Sequence, residues 1–159
     1  MNIEILTYLR DNSTLEINKS GSLKTIRGIS ETEISRIEQL YNNGNVLPKA
    51  LRELLFLGGD YCFVLDTGWY DSQEDMQTAA RSWLTKYNKN IARPFFAIDV
   101  YNAGEQFLYV YLDEGENPFV YQAYLPDGYG TESFTNLNKK LSEYINSLID
   151  MIKQGNNPF

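Results

Sequence analysis

With 159 residues and 43% hydrophobic side chains, the chain has the size and composition of one globular domain, which excludes a disordered or fibrous class. The absence of histidine removes Ser-His-Asp and Cys-His catalysis and the commonest metal ligand, and the single cysteine, Cys62, removes intrachain disulfides and structural zinc. The net charge of −7 is carried wholly by residues 60–132, where twelve acidic and four basic side chains leave −8, a field that repels phosphate backbones and attracts cationic partners.

The first residues carry Glu4 and Asp11 and lack the basic-then-apolar order of a signal peptide, and the longest apolar runs fall far short of a membrane span. A cytoplasmic protein is expected. Residues 3–10 suit a short helix, and the polar stretch 12–28 suits a loop or short hairpin. Ser30 and Glu33 form an S-x-x-E capping box that opens a helix with the apolar stripe Ile34, Ile37, Leu40 and Tyr41. Asn42, Asn43 and Gly44 end it, because Asn and Gly tolerate the left-handed conformation needed there. Pro48 opens a second helix with Leu51, Leu54 and Leu55 facing inward, and Gly58-Gly59 stops it. Tyr61 to Leu65, short, apolar and bounded by glycine, reads as a buried strand.

A cap at Asp71 and Glu74 introduces a helix whose stripe is Met76, Ala79, Ala80, Trp83, Leu84 and Tyr87. Strands are expected at 95–100, 106–112 and 119–124. Their Gly- and Asn-bearing connections are too short for a parallel crossover, so these strands should be consecutive and antiparallel. In the middle one Leu108, Val110 and Leu112 alternate with Phe107, Tyr109 and Tyr111, giving one core face and one amphipathic face. A helix is predicted over 134–153 from the spacing of Phe134, Leu137, Leu141, Ile145, Leu148 and Ile152, closed by Gly155. The expected fold class is α+β, an antiparallel sheet of about four to six strands packed with helices in a single domain over 1–159.

Two acid-rich stretches stand out as candidate partner-binding sites. Asp66, Asp71, Glu74 and Asp75 flank Trp69 and Tyr70, and carboxylates beside aromatics suit recognition of a Lys- or Arg-rich surface. A helix cap with Trp69 in the core accounts for the same residues. Asp113, Glu114 and Glu116 crowd one hairpin. They lack the ordered ligand spacing of a calcium loop and suit either a partner contact or a solvated turn. No catalytic constellation, metal site or cofactor motif is expected, and Cys62 reads as an inert core thiol.

The capped helix from Ile34 to Leu40, Leu47-Pro48, a short helix and Gly58-Gly59 come first. Phe96-Ala97-Ile98-Asp99, Phe107 to Leu112, Phe119-Val120-Tyr121 and Glu132-Ser133-Phe134 follow. In this order they resemble the SUKH superfamily, known largely as immunity proteins of bacterial polymorphic toxin systems, with relatives among fungal cell-wall regulators. The resemblance covers roughly residues 30–150 and leaves 1–28 as an N-terminal extension. It implies an α+β fold, no cofactor, no enzymatic activity, and toxin neutralisation by binding a cognate toxin domain and blocking its active site. An acidic surface suits a basic nuclease, since it can mimic the phosphate that such a cleft attracts. No nucleic acid or membrane partner is expected. A regulatory adaptor of the same fold, and a carbohydrate-binding module or carboxylate-dependent hydrolase, are the alternative functions.

Overall fold

A computed structural model describes residues 1–17, 21–66, 70–101, 105–126 and 130–157. The chain opens with α1 (Thr7–Asp11) and a two-stranded antiparallel hairpin, β1 (Thr14–Glu16) and β2 (Leu23–Thr25). Three helices follow: α2 (Glu31–Tyr41), α3 (Lys49–Gly58) and α4 (Gln73–Lys86). The main sheet is β3 (Phe95–Tyr101), β4 (Gln106–Tyr111), β5 (Phe119–Tyr124) and β6 (Ser133–Lys140), antiparallel throughout in the order β3-β4-β5-β6. The last helix is α5 (Leu141–Lys153). The fold is therefore α+β, and β3, β4 and β5 pair as their short connections require; Asn102 to Gly104 of the first connection lie outside the described residues.

Both faces of the sheet are covered. On one, Leu108, Val110 and Val120 join Phe96 and Ile98 in a core with Leu6, Ile34, Leu51, Leu55, Leu141 and Ile145. On the other, Phe107 and Tyr109 lie under Met76, Ala80 and Leu84 of α4. A β-bulge at Ala97/Asp99 joins the two. It shifts the alternation by one residue, so Ala97 and Val100, three apart, both belong to the α4 side.

Four expectations change. Leu40 is 53% exposed. The buried face of α2 is Ile34, Ile37 and Glu38, and Leu40 lies roughly 60° further round the helix from Ile37. Tyr61 to Leu65 is not a strand: only Tyr61 pairs, with Arg27, and Leu65 N–H turns back to the Cys62 carbonyl at 3.1 Å. Its apolar run reports burial, which any backbone conformation can satisfy. The cap of α4 is Ser72, whose Oγ accepts the Asp75 N–H at 3.1 Å, one residue later than the expected Asp71 and Glu74 pair. Residues 133–140 form a strand, with Phe134 paired opposite Ala123 and 43% exposed, so the final helix begins at Leu141 and Glu132-Ser133-Phe134 does not open it. Thr135, Asn136 and Asn138 disfavour helix, and Asn138 takes φ 54°, which breaks the strand's regularity.

The N-terminal segment is built into the core. Ile3, Leu6 and Leu9 are buried, and Glu53 of α3, wholly buried, accepts the N–H groups of Glu4, Ile5 and Leu6 at 2.9, 2.9 and 2.7 Å. Its carboxylate thus holds the backbone that leads into α1, up to the N-cap residue Leu6 itself.

Asp99 is the second buried carboxylate of consequence. It is 3% exposed, and its Oδ1 accepts the Asp66 N–H at 2.8 Å. Burial pushes its pKa up to about 7, against the opposing pull of that hydrogen bond. The folded state therefore holds a proton that the unfolded chain, with an ordinary Asp, has lost above about pH 4. The stability Asp99 contributes is full below that pH and is lost as pH rises towards 7. The urea midpoint should fall across this window in the native protein and fall less in Asp99→Asn; equal slopes would contradict the assignment.

Candidate interaction surface

Between α2 and the start of α4 lies a cleft of about 320 Å³. Among the described residues Glu33, Asp60, Asp71 and Glu74 line it, with Tyr70 and the cation Arg36. The later cap of α4 explains part of this. Because Ser72 takes the N-cap, Asp71 stays outside the helix, exposed at the cleft, with no described partner for its carboxylate. Glu74 faces Arg36 of α2, with Nε–Oε1 and Nη2–Oε2 distances of 3.0 Å. That pair ties the two walls together at the surface, where it contributes little to stability. Asp60 pairs with Arg27 at 2.7 Å, and Glu33 is held by the Ser30 cap, which lowers its pKa. Tyr70 is half-buried, and burial followed by the nearby Asp66 charge raises its phenol pKa.

The predicted site residues divide by what already holds them. Tyr70, Asp71 and Glu74 meet in the cleft. Asp75 is spent on the Ser72 cap, its Oδ2 accepting Ser72 Oγ–H at 2.7 Å. Asp66 is half-buried, with its pKa raised by burial, and its backbone serves Asp99. Trp69 lies outside the described residues. In the second stretch Asp113 takes a two-point contact from Arg93, with Nη2–Oδ1 at 2.5 Å. Glu114 accepts the Tyr121 hydroxyl at 2.8 Å and the Phe119 N–H at 3.2 Å. Glu116 accepts the Lys49 N–H at 3.1 Å and so caps α3 from the hairpin, where Pro48 offers no cap of its own. No described contact joins the hairpin acids to the cleft acids.

Tyr111 and Tyr121, whose rings meet at 4.6 Å, sit beside this network, with the Arg93 guanidinium 3.8 Å from the Tyr111 ring centre. The amphipathic second face of β4 is therefore divided. Phe107 and Tyr109 are under α4, while Tyr111 remains half-buried next to the acids that Arg93 bridges.

Sequence reasoning missed the partners that build the site. Asp60 and Arg36 reach the cleft only through tertiary packing and no local pattern marks them, while the pattern that marks Glu33 is that of a helix cap. Gln77 was legible: it is polar yet in phase with Met76 and Ala80. Wholly buried, its side-chain amide brackets Ala97 of the edge strand, donating to the carbonyl at 2.7 Å and accepting the N–H at 2.9 Å. That closes part of an edge otherwise open to strand addition. Asp99, a charge inside the apolar run Phe95 to Val100, carried the same kind of signal.

Cys62 is 1% exposed and burial pushes its thiol up to about 12, so it stays protonated at neutral pH. Among the described residues no group of three His, Cys, Asp or Glu could hold a metal ion, and no helix is long and apolar enough to cross a membrane. No protein-family model, no curated protein and no solved structure matches this chain.

Proposed function

We propose that this chain is an immunity protein that neutralises a cognate toxin domain by binding it, with no bond made or broken, in the manner the SUKH resemblance implies. The observation that carries the proposal is the cleft between α2 and α4, which among the described residues is lined by four carboxylates, Arg36 and Tyr70. Such a cleft suits a lysine or arginine side chain of a basic partner: the carboxylates steer the encounter and the aromatic ring receives the aliphatic stem. The −8 charge of residues 60–132 supports the same partner chemistry. A basic nuclease domain fits it, because a cleft that attracts phosphate also attracts carboxylates.

Asp71 is the residue to test, since the other cleft acids also cap or bridge elements of the fold. Asp71→Lys should leave the fold intact and slow association with the toxin domain roughly fivefold at low salt, the equivalent of about 1 kcal/mol of solvent-screened Coulomb energy. The dissociation rate should change little, and the salt dependence of association should flatten. Surface plasmon resonance at two ionic strengths reads both. An unchanged association rate would sink the electrostatic part of the proposal.

A further inference from the structure

The charge reverses along the side of α4. Beyond the acidic cleft, a second one of about 440 Å³ opens between the end of α2, the middle of α4 and the start of β3. Among the described residues no acidic side chain lines it, although the chain carries −7. Three cations do: Arg81, Lys89 and Arg93. Two of these are already matched, Lys89 with Glu132 at 3.4 Å and Arg93 with Asp113 at 2.5 Å. Arg81 has no carboxylate partner among the described residues.

Arg81 is nevertheless held firmly. Its Nη1 donates to the Gln77 carbonyl at 3.1 Å and to Gln77 Oε1 at 3.0 Å, and its Nη2 donates to the Phe95 carbonyl at 3.0 Å. The guanidinium carbon lies 4.8 Å from the Tyr41 ring centre and 4.4 Å from that of Phe95. Its Nε–H has no partner among the described residues. Arg81 is in the middle of α4, so compensation of the helix dipole, which acts in the last turn, does not explain its charge. Partial burial lowers its pKa, the mark of a cation that has given up solvent without gaining an anion.

We infer that this cleft is a carboxylate-binding site, with the Nε edge of Arg81 as the receiving group. One unmatched positive charge suits one monoanion, whereas a phosphate dianion would bring surplus negative charge into an acidic protein. The fork is already fixed by Gln77 and Phe95, so little ordering is left to be done on binding. The carboxylate can belong to a partner's Asp or Glu side chain or to a small free acid.

The test follows the arginine Nε–Hε signals by NMR at constant ionic strength, with sodium chloride as the baseline. The probes are acetate, glutamate capped as its N-acetyl N-methylamide, the matching capped glutamine, and inorganic phosphate. The Arg81 signal should move saturably with both carboxylates and not with capped glutamine. Arg81→Lys, which keeps the charge but loses the planar fork, should weaken binding about tenfold or more. Tighter binding of capped glutamate than of acetate assigns the site to a partner's side chain, and the reverse order to a free acid. If Arg81→Lys does not fold, the capped glutamate and glutamine arms decide alone. No movement beyond the chloride baseline, or saturation by phosphate at lower concentration than by either carboxylate, would overturn the inference.

Discussion

Replacing Glu53 by alanine should cost about 2–4 kcal/mol of folding stability. Three backbone donors, those of Glu4, Ile5 and Leu6, end on this one wholly buried carboxylate. Truncating it leaves the Leu6 N–H buried without an acceptor and takes the acceptor from the partly buried Glu4 and Ile5 N–H groups, and each lost bond costs more the deeper its donor lies. Glutamine should not restore the loss, because one acceptor oxygen becomes a donor that faces N–H groups. The damage should spread from α1 to the last helix, since Leu9 is buried and Tyr8 donates its hydroxyl to Asp150 at 2.7 Å. Urea denaturation gives the magnitude, and hydrogen exchange of residues 4–9 gives the place. A loss under about 1 kcal/mol would mean that water replaces the carboxylate without penalty.

Leu141→Ala should cost roughly 2–5 kcal/mol, the range for truncating a fully buried leucine. Leu141 is wholly buried at the first position of α5, and its N–H is fixed on the Pro118 carbonyl at 2.8 Å. A measured loss under about 0.5 kcal/mol would place it at the surface.

The same residue shows what periodicity can and cannot reveal. The spacing of Leu141, Ile145, Leu148 and Ile152 is a true helical stripe, and all four are buried. Phe134 and Leu137 continue the numerical pattern by coincidence. Their segment completes the sheet beside β5, a non-local demand that outweighs the local spacing. β3, β4 and β5 were legible because alternation, short connections and aromatic content agreed. The run Tyr61 to Leu65 resembles a strand in sequence because apolar character alone reports burial and not backbone pairing.

The candidate surface was less legible than the fold. Sequence proximity grouped Asp71 and Glu74 with Tyr70, and these do share a cleft. It could not show that Glu116 caps α3 across 67 residues or that Arg93 neutralises Asp113. An acid counted along the chain is a charge; whether it is available to a partner depends on which distant donor has already taken it. Asp71 emerges from that sorting as the exposed cleft acid with no described partner.

The central claim is neutralisation by direct binding, and a titration of toxin activity tests it most directly. If a toxin domain is encoded beside this chain's gene, it is purified and its activity measured as the chain is added. The account predicts complete inhibition at an equimolar ratio, with Asp71→Lys slowing its onset at low salt. Full toxin activity in the presence of excess chain would contradict it.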